Sequence, residues 1–180
     1  MATLHVLLGR PEQAVALLPD SPPQRLSAWV AWHIRGMALL RLRQWSEAEQ
    51  VFVHGAREAP PAQRQAFVHG ARLLSLWRPS CSSAPSLPVD AGLSALSAAD
   101  WRERLNTLPG RGEWVVQMHA LALQHAAVPA RQLQQHGKQA ALPPVFQATA
   151  QELVLRAEGR GQQDDDWLLT QEIDCLLLAA

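Results

Sequence analysis

One stretch decides the fold: Trp32-His33-Ile34-Arg35-Gly36-Met37-Ala38-Leu39-Leu40, then Glu47-Ala48-Glu49-Gln50-Val51-Phe52, then Pro60-Pro61. Its apolar residues recur at helical spacing rather than in strict alternation, which predicts two helices and no strand. The segment Gln44-Trp45-Ser46 predicts a break between these helices. The two prolines predict the end of the second helix, because a proline ring cannot be placed in a continuing helix.

The second helix of this pair has a predicted start and a predicted buried face. Ser46 followed three residues later by Glu49 matches a capping box, which places the N-cap at Ser46. One face of the helix then carries Ala48, Val51, Phe52 and Gly55. The small residues on the facing sides of the pair predict that the two backbones approach closely. These small residues are Gly36, Ala48 and Gly55.

The stretch resembles one tetratricopeptide (TPR) repeat, whose signature places Trp, Gly, Ala, Phe and Pro on a 34-residue period. The matching residues are Trp32, Gly36, Ala48, Phe52 and Pro60. Two positions depart from the pattern, since Arg35 stands where the family has Leu and Leu39 replaces Tyr. The resemblance implies antiparallel helix hairpins stacked as a short right-handed solenoid.

Residues on either side continue the 34-residue period. Ala14 precedes Ala48 by one period, and Gly70 follows Gly36 by one period. We therefore expect a partial repeat in residues 1–22 and a further helix over residues 63–77. A second echo, Phe-Val-His-Gly-Ala-Arg, begins at both residue 52 and residue 67. Its spacing differs from the period and was interpreted as coincidence or a local duplication.

The remainder of the chain shows no clear repeat signature. Residues 79–97 are rich in Ser and Pro and predict a long loop. Helical segments are expected from Ser97 to Leu108, over residues 112–127, from Val128 to His136-Gly137, from Pro144 onward and from Trp167 onward. We predict repeats in residues 1–78, the loop in 79–97, and a helical C-terminal extension in 98–180 that packs on or extends the array.

Composition supports an all-α protein. Apolar residues make up 48% of 180 residues, and helix formers dominate. The net charge is zero, which gives no reason to expect binding to nucleic acid or to a membrane. Residues 25–78 carry an excess of five positive charges and residues 158–180 an excess of five negative charges. The acidic tail either folds onto the basic part, or both are solvated surface.

No arrangement typical of an enzyme or a metal site is present. Cys81 and Cys175 lack the flanking residues of a nucleophile motif. His119 and His125 are spaced too widely to share a helix face, and the acidic run 164–166 is better explained as helix capping than as a cation site. We predict no catalytic residues, no metal and no cofactor, and the absence of a targeting segment favours the cytoplasm.

The resemblance implies a binding groove on the first helix of each repeat. Carried onto this chain, the groove residues are Val30, His33, Met37, Leu40, Arg41, Arg64, Phe67 and Ala71. An apolar groove with Arg at its rim suits a helical or extended apolar segment of another protein. The alternative is that Met37, Leu40 and Phe67 pack the core. Trp29 and Trp45 lie off the signature, which makes them candidates for exposed anchors.

Two functions fit these patterns. The first is an adaptor or chaperone that binds one partner protein, and a bacterial secretion chaperone is one concrete form of it, because the size, the few repeats and the apolar groove are similar. The alternative is a structural subunit of a larger multiprotein assembly, which would form a hetero-oligomer. A helical enzyme ranks third.

Overall fold

The computed structural model describes residues 2–18, 28–78, 111–139 and 144–178, and these residues form α-helices without any strand. The all-α prediction is confirmed for this part of the chain. Two compact units are present, one made of Met1–Ser86 with Leu169–Ala180 and the other of Leu87–Leu168. The predicted loop over residues 79–97 and the helix expected from Ser97 to Leu108 both lie outside the described residues. The domain boundaries at residues 79 and 97 therefore stay a prediction.

The described part of the first unit contains five helices besides the residues that the C-terminal helix contributes. They are α1 (Ala2–Leu7), α2 (Pro11–Leu17), α3 (Ala28–Arg41), α4 (Trp45–Glu58) and α5 (Pro61–Trp77). Each helix packs on the next, and α1 also contacts α3. As predicted, Pro60-Pro61 ends α4, and Pro61 opens α5 at its first turn, where its missing N–H costs nothing.

Two phenylalanine rings pack directly on glycines of the neighbouring helix. A Cβ added at Gly36 in α3 would lie 3.0 Å from two carbons of the Phe52 ring in α4 and closer still to a third. A Cβ added at Gly55 in α4 would lie 2.9 Å from Cζ of the Phe67 ring in α5 and closer still to two other ring carbons. Both rings are fully buried. The predicted close approach of α3 and α4 is therefore found at Gly36, whereas Gly55 receives a ring from α5 and not from α3.

The sequence Phe-Val-His-Gly-Ala-Arg, which begins at residues 52 and 67, marks a contact between two helices. Its two copies lie in the antiparallel neighbours α4 and α5, with their rings 6.2 Å apart. Phe67 packs on Gly55, while a Cβ on Gly70 would lie 3.6 Å from Phe52. Each copy thus supplies a ring that packs at the other copy's glycine. The interpretation as coincidence is replaced by this reciprocal packing.

The predicted capping box at the start of α4 is wrong. The helix begins at Trp45, so Ser46 lies inside it, and the side chain of the N-cap residue Gln44 makes no capping hydrogen bond. Glu49 is buried, and its Oε1 accepts a hydrogen bond of 2.7 Å from Ser75 Oγ of α5. The carboxylate therefore links two helices instead of capping its own.

The described part of the second unit consists of three helices and the start of a fourth. They are α6 (Arg111–Leu123), α7 (Ala127–Gln139), α8 (Pro144–Ala157) and α9 (Asp165–Leu178), of which Leu169 onward belongs to the first unit. Helix α6 contacts α7 and α8, and α7 contacts α8. The helix predicted over 112–127 ends at Leu123, and the next one passes its predicted end at Gly137 to reach Gln139.

The same turn ends four of these helices. Each turn has one residue in the left-handed region, and these residues are Gly9, Arg43, His125 and Gly159. In each case the following N–H bonds the carbonyl five residues back, as in the 3.0 Å bond from Gln44 N to Leu39 O. This pattern is the Schellman motif. Gly9 and Arg43 are 34 residues apart, as are His125 and Gly159.

Aligning the turns at Arg43 and His125 reveals a second copy of the signature spacing. Trp114, Leu121, Ala130 and Gly137 take the positions of Trp32, Leu39, Ala48 and Gly55. All four residues of the second copy are buried. The sequence pattern concealed this copy because Met118 stands in the slot of Gly36 and Gln134 in that of Phe52. Large and small residues have changed places across the helix pair.

We expect Gly36→Ala to lower the free energy of unfolding by about 1–3 kcal/mol, because the new methyl group overlaps the Phe52 ring. Gly70→Ala is the matched control. Its Cβ would meet Ile173 and Phe52 at ordinary contact distances of 3.4 and 3.6 Å, so it should be neutral or gain up to about 1 kcal/mol from helix propensity. Urea titration measures both variants, and equal effects would contradict the close-packing argument.

The left-handed turn residues give a second prediction. His125 is an exposed side chain at φ +54°, a conformation that costs a residue with a Cβ about 1–2 kcal/mol. His125→Gly should therefore raise the free energy of unfolding by roughly 0.5–1 kcal/mol. Gly159→Ala should lower it by about 1 kcal/mol for the same reason. A stability change of the same sign in both variants would refute the turn assignment.

Candidate functional site

The predicted groove residues lie on two helices of the first unit. Val30, His33, Met37, Leu40 and Arg41 belong to α3, and Arg64, Phe67 and Ala71 belong to α5. The imidazole of His33 meets the Phe67 ring edge-on, with centroids 6.4 Å apart and an interplanar angle of 88°. This contact brings the two predicted sets together. The solvent-accessible residues of these sets are called the α3–α5 face below.

Three of the eight predicted residues are core. Met37 is 8% exposed, and Leu40 and Phe67 are each 1% exposed. Phe67 is held there by the space above Gly55, where its ring replaces a missing side chain. The alternative interpretation, that these residues pack the interior, therefore describes all three, and they offer a partner little or no surface.

The other five residues define the α3–α5 face. Val30, His33 and Ala71 are partly buried, while Arg41 and Arg64 are exposed. Arg41 Nη1 donates to the Met37 carbonyl at 3.0 Å, and Arg64 Nη2 donates to the Ala59 carbonyl at 3.4 Å. Arg41 thus bonds within α3, whereas Arg64, in the first turn of α5, bonds to the residue that follows α4. Binding of a partner here stays a prediction.

His33 is the titratable group at the centre of this face. Its partial burial lowers the pKa of the imidazole below the ordinary value of 6.5, because removal from water disfavours the charged form. The neutral ring packs against Phe67, which is consistent with an apolar centre between two cationic ends. The face therefore offers a weakly polar strip with positive charge at its margins.

The departure of Arg35 from the repeat signature has a structural explanation. Its guanidinium Nη1 donates a hydrogen bond to the carbonyl of Leu18, the residue that follows α2. Carbonyls at a helix C-terminus lack partners within the helix and carry partial negative charge. Arg35 therefore joins α2 to α3, a role that the Leu of the family pattern could not fill.

The two tryptophans predicted as exposed anchors are not fully exposed to solvent. Trp29 and Trp45 are both partly buried, and the Arg78 guanidinium lies over the Trp45 ring at 5.4 Å from its centroid. The indole of Trp32 packs at 5.5 Å from the His54 ring, and its buried Nε1 has no hydrogen-bond partner. The exposed indole in the described residues is Trp167, at 50% exposure.

Further exposed apolar side chains were missed by the sequence reasoning. Leu8 and Leu17, from the α1–α2 hairpin, are 59% and 50% exposed, and Val128 of α7 is also exposed. Leu17 follows the buried Ala14 by three residues, so the helical wheel places both on the same side of α2 and gives no sign that Leu17 is exposed. The Leu8 side chain lies in a turn, where no periodicity indicates its exposure.

The acidic run at residues 164–166 serves the helix that follows it. Asp164 Oδ1 accepts the Asp166 backbone N–H at 3.1 Å, which caps α9 as predicted. Asp165 accepts a hydrogen bond of 2.6 Å from Arg156 Nη1 of α8. Within the described ranges, no group of three His, Cys, Asp or Glu side chains is placed to hold a metal ion.

The preceding loop is fixed by one carboxylate. Glu152 Oε1 accepts the backbone N–H groups of Gln162 and Gln163 at 2.7 and 3.1 Å. The loop between α8 and α9 is four residues longer than the turns at Gly9, Arg43 and His125. The two bonds to Glu152 hold this longer loop in place. No helix among the described residues is long and apolar enough to cross a membrane.

Comparison with protein-family models, with curated proteins and with solved structures finds no match to this chain.

The burial of His33 predicts a pH dependence of stability. Because its pKa is lower in the folded than in the unfolded chain, the unfolded chain binds more protons once the pH falls below about 6.5. The contribution of neutral His33 is therefore complete above that pH and is lost as the pH falls toward the folded pKa. His33→Gln should lose less stability than wild type between about pH 7.5 and pH 5, measured by urea titration. Parallel curves would contradict the assignment.

Proposed function

We propose that this chain is a TPR-like helical-repeat scaffold that binds one partner protein through the α3–α5 face. It acts as an adaptor or chaperone in the cytoplasm, without catalysis, and a bacterial secretion chaperone is a concrete form of this role. The hairpins stack as a short right-handed solenoid, so that first helices of successive repeats form the binding side. The C-terminal helices form degenerate helical hairpins.

One observation carries the proposal: the hairpin turns at Gly9 and Arg43, and those at His125 and Gly159, are each separated by 34 residues. That distance is the TPR period. The spacing from Trp114 to Gly137 that repeats the one from Trp32 to Gly55 supports the same architecture. Repeat arrays of this kind present extended surfaces, on which binding is a common function.

The face suggests the chemistry of its partner. Arg64 lies one period after Val30 and takes the corresponding position in α5. Arg41 follows Val30 by about eleven residues in α3, so the two arginines are separated by roughly 16 Å along the helix axes, at 1.5 Å per residue. A partner segment with a small apolar centre and a carboxylate toward each end would match these two cations and the strip between them. Such a segment spans three helical turns or about five extended residues.

The experiment is affinity purification from the native source with quantitative mass spectrometry. Arg41→Glu with Arg64→Glu should reduce recovery of the partner by at least about tenfold, since each reversal replaces attraction by repulsion. Arg57→Glu, an exposed residue of α4, is the matched control and should bind as wild type. Circular dichroism checks that all three proteins are folded.

A partner retained equally by the face variant and the control would show that the face is assigned wrongly. Met37→Glu is unsuitable for this purpose. Because Met37 is buried, a charge placed there would destabilise the fold. Loss of binding in that variant would therefore say nothing about the face.

The alternative, a structural subunit of a larger assembly, is favoured by Leu8 and Leu17, whose side chains are exposed on the α1–α2 hairpin. Exposed large apolar side chains are typical of a surface that another chain covers. If Leu8→Asp with Leu17→Asp releases every co-purifying protein while the Arg41/Arg64 variant releases none, this function replaces the first. A fixed stoichiometry that resists separation without unfolding would point the same way.

A further inference from the structure

We draw no further inference here: the strongest candidate, the half-buried imidazole of His33 at the centre of the α3–α5 face, belongs to the site already described, and control of binding by pH there would rest on the pKa of this one group, lowered by its burial.

Discussion

The packing of the Phe52 ring on Gly36 is the contact on which the first unit depends. A ring can lie against a helix backbone only where a side chain is missing, and two glycines, Gly36 in α3 and Gly70 in α5, leave such space beside this one ring. Phe67 does the same at Gly55. The spacing of α3, α4 and α5 is thereby set by two rings and three glycines. The same geometry removes Phe67 from the surface and brings His33 against its edge, so the shape of the candidate face follows from the core beneath it.

The second unit reaches a similar hairpin with different side chains. Met118 and Gln134 take the places of Gly36 and Phe52, and Gln134 Nε2 donates a hydrogen bond of 2.8 Å to Gln151 of α8. What the units share is the turn, with its left-handed residue and its bond between residues five apart. The two hairpins thus share the backbone geometry of the turn while their side chains differ. This explains why a pattern of residue types indicated the hairpin near Trp32 and did not indicate the one near Trp114.

The sequence was informative wherever a single residue type has a single physical consequence. Proline at residues 60 and 61 marked a helix boundary correctly, and glycine at residues 36 and 55 marked the close contacts. It was misleading where two mechanisms compete. Ser46 and Glu49 satisfy a capping pattern, yet Glu49 instead accepts a bond from Ser75, a partner far along the chain. His125 holds a left-handed turn that a glycine pattern cannot reveal. For the candidate face, periodicity placed the predicted residues on helices α3 and α5. It could not separate Met37, Leu40 and Phe67 from their accessible neighbours, because the depth of a side chain below the surface depends on what the neighbouring helix contributes.

The contact between Gly70 and Ile173 also has a consequence for the order in which the chain folds. The hairpins from α1 to α5 involve neighbours in sequence and can form as soon as their residues are available, whereas this contact joins residues about a hundred positions apart. Non-local contacts of this kind form late, since a long loop must close before they are gained. During synthesis the side of α5 around Gly70 therefore lacks its contact with Ile173 for the whole time that residues 79–168 are being made. A newly made chain passes through a stage in which this side of the helix is uncovered, and apolar surface that is uncovered during folding promotes aggregation.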